Sequence, residues 1–237
     1  MPPIATTARL LLALLLAALA AGCATTGSDP RDPWEGLNRK TFAFNDKVDQ
    51  VVLKPVAQGY EKVVPAPART GISNFFSNLE DVGTCLNNLA QGKFEEGVND
   101  FGRVLLNSTF GLGGLVDIAT PAGMEKHYED FGQTLGWWGV QSGPYVVIPL
   151  LGPSTARDAP AKVVDPAWYW PRLLDNDPLY WGLWGLDKVR TRASLLQAEG
   201  VLDQAALDRY TFIRDAWLQR RRSQVYDGHP PPEKEEE

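Results

Sequence analysis

Apolar residues recur along much of the chain at intervals of three or four positions, with polar and charged residues between them. This spacing places the apolar residues on one face of an α-helix, so it predicts amphipathic helices. Four such stripes follow one another over residues 37–52, 65–79, 82–89 and 94–106. We predict that Pro55 ends the first helix, because proline lacks the backbone donor that a continuing helix needs.

Two further helices are predicted in the last third of the chain. The first runs from about residue 177 to residue 196, and the second from about residue 201 to residue 222. Three arginines, at positions 220–222, close the last helix, where cations interact favourably with the negative end of the helix dipole. Tyr145–Ile148 is the one plausible strand, and no other run alternates in a way that would pair with it. The predicted fold class is therefore mainly α, with at most one short strand.

The stretch 131–158 differs from the helices because it combines glycine, proline and aromatic residues around one apolar run. That run, residues 145–151, is too short to cross a bilayer and is interrupted by Pro149. A Gly-Pro dipeptide stands on each side of it, and such dipeptides favour turns. Ser154 follows the second dipeptide and is placed to cap a helix that continues through Asp158. We therefore predict a turn, a short extended segment, a second turn and a helix.

Arg157 and Asp158 are adjacent charged residues in this predicted helix. Adjacent side chains on a helix point about 100° apart, so the two are not expected to face each other. A structural ion pair with another element and a place in a polar passage are both open roles for them.

The N-terminus has the features of a bacterial lipoprotein signal. Residues 1–22 carry one cation and then a short apolar run that ends in small residues before Cys23. We predict that this segment is removed and that the Cys23 thiol is acylated; the alternative is a plain secretory signal with a chance cysteine. Residues 23–31 are predicted to be a flexible tether, 32–228 a single domain, and 229–237 a disordered acidic tail.

The charge of the chain restricts its partners. A formal net charge of −6 argues against nucleic acid, which would require a basic surface. It also argues against attachment to anionic lipid by charge alone. The chain contains 8 Trp, a residue that suits the depth of lipid headgroups, although buried cores use tryptophan too. Acyl chains on a cysteine are therefore the predicted membrane anchor.

The sequence contains no recognised catalytic or metal-binding motif. His127 stands near three carboxylates without the spacing of a metal site, so a solvated polar turn is the simpler interpretation. Ser142 and Ser154 lie near His127 along the chain, but the members of a catalytic triad are identified by geometry. Cys85 falls on an apolar helical stripe, where an inert core thiol is expected. We therefore predict no enzymatic activity, no cofactor and no metal.

Several motifs are distributed over residues 32–228, nearly the whole predicted domain. They are Asp32-Pro33-Trp34-Glu35-Gly36-Leu37-Asn38-Arg39 with Phe42, Phe44 and Asn45; Asn74-Phe75; Asn78-Leu79; Gly113-Gly114 with Asp117; Asp130-Phe131-Gly132-Gln133-Thr134-Leu135-Gly136; and the block from Gly143-Pro144-Tyr145 to Arg157-Asp158. Together they resemble the MlaA (VacJ) family of outer-membrane lipoproteins, which act in maintaining lipid asymmetry.

The resemblance implies a ring-like assembly of short amphipathic helices lying in the membrane interface around a central amphipathic passage. It implies that phospholipid misplaced in the outer leaflet enters this passage and is handed to a soluble periplasmic carrier. It also implies association with trimeric porins, on the periplasmic side of the bacterial outer membrane. Moving a lipid breaks no covalent bond, so this function needs no hydrolytic residue.

The central block and the smaller motifs have different expected roles. The residues expected to line the passage or form its motif are Gly143, Pro144, Tyr145, Pro149, Gly152, Pro153, Ser154, Arg157 and Asp158. The residues expected to be structural are Phe44, Asn45, Asn74 and Phe75. Two alternative functions remain: a lipid-modifying hydrolase that uses Ser142 or Ser154, and a structural lipoprotein that only docks to porins.

Overall fold

The computed structural model describes residues 29–169, 177–197, 199 and 207–232. This part of the chain is mainly helical and has one two-stranded sheet, in agreement with the predicted fold class. The predicted signal peptide and Cys23 lie outside the described residues, as do residues 233–237 of the predicted tail.

The last three residues of the predicted tether contact the domain. The Tyr145 N–H donates to the Arg31 carbonyl at 2.8 Å. The Arg31 side chain contacts Asp29 at 2.7 Å and Asp215 at 3.1 Å. Asp29 and Arg31 of the predicted tether are therefore in contact with the predicted domain, 32–228.

The first helical segment continues through Pro55. Helix α1 (Glu35–Val48) is followed by a π-helical turn (Asp49–Leu53) and by α2 (Lys54–Val63) without a break. Pro55 lies in the first turn of α2, after a π turn in which the backbone hydrogen bonds are already shifted. A missing N–H donor is tolerated there, so the prediction that Pro55 ends the helix is wrong.

Two helices that form a hairpin contain the next three predicted stripes. Helix α3 (Ala66–Ala90) contains both the second and the third stripe, and α4 (Phe94–Thr109) packs against it. Glu80 and Asp81, between the two stripes, form salt bridges with other elements and do not interrupt the helix. The prediction of two short helices there is wrong, whereas the fourth predicted helix is confirmed.

The central stretch forms a short helix and a β-hairpin. Helix α5 (Phe131–Trp137) precedes β1 (Tyr145–Ile148), which pairs antiparallel with β2 (Gly152–Thr155). The second strand was not predicted, because Gly-Pro-Ser-Thr has the composition of a turn rather than of a strand. Ser154 therefore lies in β2, not at a helix start, and the next helix, α6 (Ala161–Tyr169), begins after Asp158.

The remaining helices close a circuit of contacts. Helix α7 (Asp177–Ser194) packs against both α2 and α3, and α8 (Arg209–Val225) packs against α5, which in turn contacts α3. The circuit closes where the Phe42 and Tyr210 rings meet with centroids 5.6 Å apart, joining α8 to α1. Among the described residues, no helix combines the length and apolarity needed to cross a membrane.

The interior of this circuit is unusually polar. Among the described residues, buried polar and charged side chains are about twice as numerous as buried apolar ones. One small apolar cluster, of Tyr145, Val147 and Tyr210, lies where the hairpin meets α8. The apolar stripes of the helices must therefore face elsewhere.

Candidate functional site

The apolar stripe of α4 faces outward. The exposed fractions are 67% for Phe94, 67% for Val98, 55% for Phe101 and 49% for Leu105. Other exposed apolar residues lie in the loop after α4, on α1, in the π turn and on α2: Phe110, Leu112, Leu115, Val116, Leu37, Phe44, Val51, Val52, Val56 and Val63. Exposed apolar area of this extent marks a surface that contacts a membrane or another protein.

The opposite faces of α3 and α4 are held together by buried polar contacts. The fully buried Asp100 carboxylate accepts from the Asn88 amide at 2.7 Å and contacts the His127 ring at 2.9 Å. Arg103 donates to Asp81 at 3.3 Å and to the Met124 carbonyl at 2.8 Å. Burial raises the pKa of Asp81, although Lys126 and Arg103 oppose this shift.

The β-hairpin is fixed to α1 by two side-chain amides one heptad apart. Asn38 donates to the Tyr145 carbonyl at 3.0 Å and accepts from the Val147 N–H at 2.9 Å. Asn45 repeats the pattern, donating to the Ile148 carbonyl at 3.0 Å and accepting from the Leu150 N–H at 2.8 Å. The two amides thus replace a third strand along the outer edge of β1.

A network of ion pairs joins the end of the hairpin to α5 and α8. Asp158 accepts from Arg157 Nε at 2.8 Å and from Arg221 Nε at 3.0 Å. Arg221 also makes two bonds of 2.6 Å to Asp130. Arg157 and Asp158 therefore pair directly, contrary to the prediction, because they lie in a turn and not in a helix.

Burial and hydrogen bonding oppose each other in the pKa values of this network. Burial alone would raise the pKa of Asp158, but hydrogen bonds from Arg157 and Arg221 hold it below its ordinary value. Asp165 differs, because burial raises its pKa to about 7 although hydrogen bonds from the Phe131 N–H and the Asn87 side chain lower it. One carboxylate is thus firmly charged and its neighbour titrates near neutrality.

Two glycines of α5 allow this close packing. A Cβ atom on Gly132 would lie 2.4 Å from Arg221 Nη2 and 2.5 Å from Asp158 Oδ1. A Cβ atom on Gly136 would lie 2.8 Å from Arg157 Nη1. The glycine spacing of the 130–136 motif therefore serves the ion-pair network.

A cavity of about 1090 Å³ opens beside this network, between α8, the segment 139–143 and Arg31. Its charged lining residues are Arg31, Arg157, Asp215, Arg221 and Arg222. Apolar side chains, among them Val140, Leu218 and Val225, line it as well. The cavity is therefore amphipathic, with a predominance of guanidinium groups.

The structure places the residues predicted for a passage in several different surroundings. Gly143 and Arg157 line the large cavity. Tyr145 and Ser154 are buried within the hairpin region, and Asp158 lines a separate cavity of about 220 Å³. The other residues of the block lie at the strand ends or the hairpin turn: Pro144, Pro149, Gly152 and Pro153.

The four residues predicted to be structural are placed as follows. Asn45 holds the hairpin, and Asn74 donates to the Leu115 carbonyl at 3.2 Å. Phe75 stacks edge-on against Phe76, whereas Phe44 is half exposed on the outer surface.

The described residues provide no arrangement typical of a hydrolase or a metal site. His127 is hydrogen-bonded to Asp100 and His229 to the Asp227 carbonyl, and within the described ranges neither histidine bonds to Ser142 or Ser154. No group of three or more metal-ligating residues occurs in the described ranges. Cys85 is a buried free thiol whose pKa burial raises.

Sequence reasoning missed the role of the arginines around the cavity. We assigned positions 220–222 only to the helix dipole, yet Arg221 holds the ion-pair network and Arg222 lines the cavity. The helical period offers a partial signal, because residues 215, 218, 221, 222 and 225 share one face of α8. The other lining residues, Arg31 and the segment 139–143, are distant from α8 in the sequence.

Comparison with known proteins gives a consistent result. A family profile described as MlaA lipoprotein matches residues 30–224. The intermembrane phospholipid transport system lipoprotein MlaA of Escherichia coli (strain K12) is 39% identical over 212 residues, covering 85% of this chain and 82% of that protein. The protein of the same name from Haemophilus influenzae is 34% identical over 240 residues, covering 94% and 92% respectively.

A solved structure is similar in fold. It is described as "Structural basis for maintenance of bacterial outer membrane lipid asymmetry", and it matches with a TM-score of 0.71 at 38% identity. The match covers 82% of this chain and 98% of that chain. The family match, residues 30–224, includes the hairpin and the ion-pair network.

Proposed function

This chain belongs to the MlaA lipoprotein family, and on that basis we propose that it removes phospholipid misplaced in the outer leaflet of the outer membrane. The lipid is then passed to a soluble periplasmic carrier, which maintains the asymmetry of the membrane. The names of its relatives, and the description of the similar structure, support a role in phospholipid transport and lipid asymmetry.

The observation that carries the proposal is the inverted distribution of polarity. Apolar side chains such as Phe94 and Phe101 face outward, while Asp81, Asp100 and Arg103 are buried. Covering the exposed apolar area with acyl chains is favourable by about 25 cal/mol per Å². A fold of this kind is suited to the apolar depth of a bilayer, where backbone polar groups must be satisfied internally.

The second requirement of transport is a route for a molecule that is polar at one end and apolar at the other. The amphipathic cavity lined by Gly143 and Arg157 meets this requirement on one side of the domain. We propose that these two residues belong to the lipid route and that the rest of the central block supports the hairpin beside it. The acylated Cys23, on the periplasmic side, holds the domain at the membrane surface in this proposal.

Association with a trimeric porin and with the periplasmic carrier is part of the same proposal. It rests on the family resemblance, and the outer apolar surface provides area for a membrane-embedded partner. Covalent chemistry on the lipid is not required. The pairing of His127 with Asp100, away from Ser142 and Ser154, gives no support to hydrolysis.

The test is deletion of the gene in its host, followed by measurement of surface-exposed phospholipid with a membrane-impermeant amine-reactive label. We expect surface labelling to rise on deletion and to return to the original level when the wild-type gene is restored. Unchanged labelling would contradict transport. Incubating the purified protein with labelled phospholipid is the second arm, and release of fatty acid or headgroup would favour the hydrolase.

A further inference from the structure

The cavity beside α8 has a lining that points to one chemical group. We propose that Arg157, Arg222 and Arg31 bind the phosphodiester of a phospholipid there, with the glycerol and the first acyl carbons against the apolar wall. This inference rests on the proposed transport function and deepens it by assigning a headgroup site.

Charge is the first argument for a phosphodiester. Four guanidinium groups line the cavity, and Asp215 is the one carboxylate in its lining among the described residues. Asp215 contacts Arg31 at 3.1 Å and Arg214 at 3.0 Å, so its charge is already shared by two cations. Asp29, Asp130 and Asp158 also pair with these arginines, but these three carboxylates do not line the cavity. The excess of positive charge in the lining favours an anionic group.

The geometry of Arg157 is the second argument. This residue is 9% exposed, and its Nε and Nη2 atoms contact Asp158 at 2.8 and 3.3 Å. Its Nη1 atom has only the Val140 carbonyl at 3.4 Å among the described residues. A guanidinium has five N–H donors, so two remain without an acceptor in the described structure. Donors on adjacent nitrogens match the oxygens of a phosphate.

Arg221 is a positioning residue in this arrangement. It binds both Asp130 and Asp158, so Asp158 divides its charge between two guanidinium groups. Arg157 is therefore held in place without being fully neutralised by its own partner. Gly136 keeps the space beside Arg157 Nη1 open, because a Cβ atom there would lie 2.8 Å away.

The apolar part of the lining separates a lipid from a free anion. Val140, Leu218 and Val225 share the cavity with the arginines. Inorganic phosphate gains nothing from an apolar wall, whereas a phospholipid buries its glycerol and first methylenes against it. We therefore assign the phosphodiester of a phospholipid as the ligand.

The experiment measures binding of dihexanoylphosphatidylglycerol to the full-length protein in a phosphate-free alkyl maltoside. Inorganic phosphate and glycerophosphoglycerol are titrated in parallel as ligands without acyl chains. The variant is Arg222→Gln, and the matched control is Arg220→Gln, two positions away on α8, which does not line this cavity. Arg157→Lys is a second variant that keeps the charge and removes the planar fork, with thermal melting recorded for each protein.

We expect Arg222→Gln and Arg157→Lys each to weaken phospholipid binding about tenfold, the effect of losing one charge-assisted hydrogen bond. Arg220→Gln should bind like the wild type, and the two ligands without acyl chains should bind far more weakly. Equal binding by wild type and Arg222→Gln would overturn the site, and so would inorganic phosphate binding as tightly as the lipid.

Failure of the headgroup site is distinguishable from failure of the transport function. If Arg222→Gln binds phospholipid normally and restores low surface labelling in the deleted host, the headgroup site is wrong and transport stands. If the wild-type gene itself does not restore low labelling, the transport function is wrong.

Discussion

Replacing Asn38 by alanine tests whether side-chain amides hold the hairpin. Asn38 is 1% exposed, and its amide is hydrogen-bonded to the Tyr145 carbonyl, the Val147 N–H and the Asp32 carboxylate. Alanine leaves two buried backbone groups without partners, at about 1.5 kcal/mol each, and removes a bond to a carboxylate worth about 1.5 kcal/mol. The expected loss of unfolding free energy is about 4.5 kcal/mol.

Asn45→Ala is the matched control, because Asn45 makes the same pair of backbone bonds one heptad later. Its partners lie near the exposed hairpin turn, where water replaces the lost bonds, so we expect a loss of only about 1 kcal/mol. For a domain of this size the melting temperature should fall by about 10 °C for Asn38→Ala and by about 3 °C for Asn45→Ala. Equal losses in the two variants, measured by thermal melting in one detergent, would refute the reasoning.

Three other predictions concern titration, the outer surface and the anchor. Burial raises the pKa of Asp165 to about 7 from an ordinary 3.8, so its contribution to stability is full below pH 4 and is lost as the pH rises through 7. Melting curves of wild type and Asp165→Asn should therefore diverge over that interval, and parallel curves would count against the shift. Phe101→Ser should reduce partition into vesicles with little change in melting, whereas the buried Phe76→Ala should cost about 3 to 5 kcal/mol; equal melting of the two would contradict the inverted polarity. Cys23→Ser should move the protein to the soluble periplasmic fraction, and retention in the membrane fraction would show that the helices alone anchor it.

The helices were largely predictable from the sequence because an amphipathic stripe has the same period whichever way it faces. The α4 stripe gave the correct element, but periodicity cannot say that Phe94 and Phe101 face outward. The polar face of α4 carries that information. Its Asp100 and Arg103 are buried, and each is hydrogen-bonded to a buried partner. A helix whose polar side is rich in asparagine and paired charges, rather than in lysine and glutamate, is a candidate for this inversion.

The errors of prediction arose where a local rule was overridden by the structure around it. Pro55 normally ends a helix, but the preceding π turn accommodates it. Gly152 and Pro153 favour a turn, but their segment pairs with β1, whose outer edge Asn38 and Asn45 complete. The cavity was not predictable, because its arginines come from segments up to about 190 positions apart.

The polar interior has a thermodynamic consequence for the whole domain. Exposure of apolar surface raises the heat capacity on unfolding, whereas exposure of polar surface lowers it. This fold already presents much of its apolar surface and encloses amides, carboxylates and guanidinium groups, so unfolding releases an unusual share of polar area. Its heat-capacity change on unfolding should be smaller than the average for globular proteins, which is about 12 to 15 cal/mol/K per residue. The curve of stability against temperature is then broad, and the domain resists cold as well as heat.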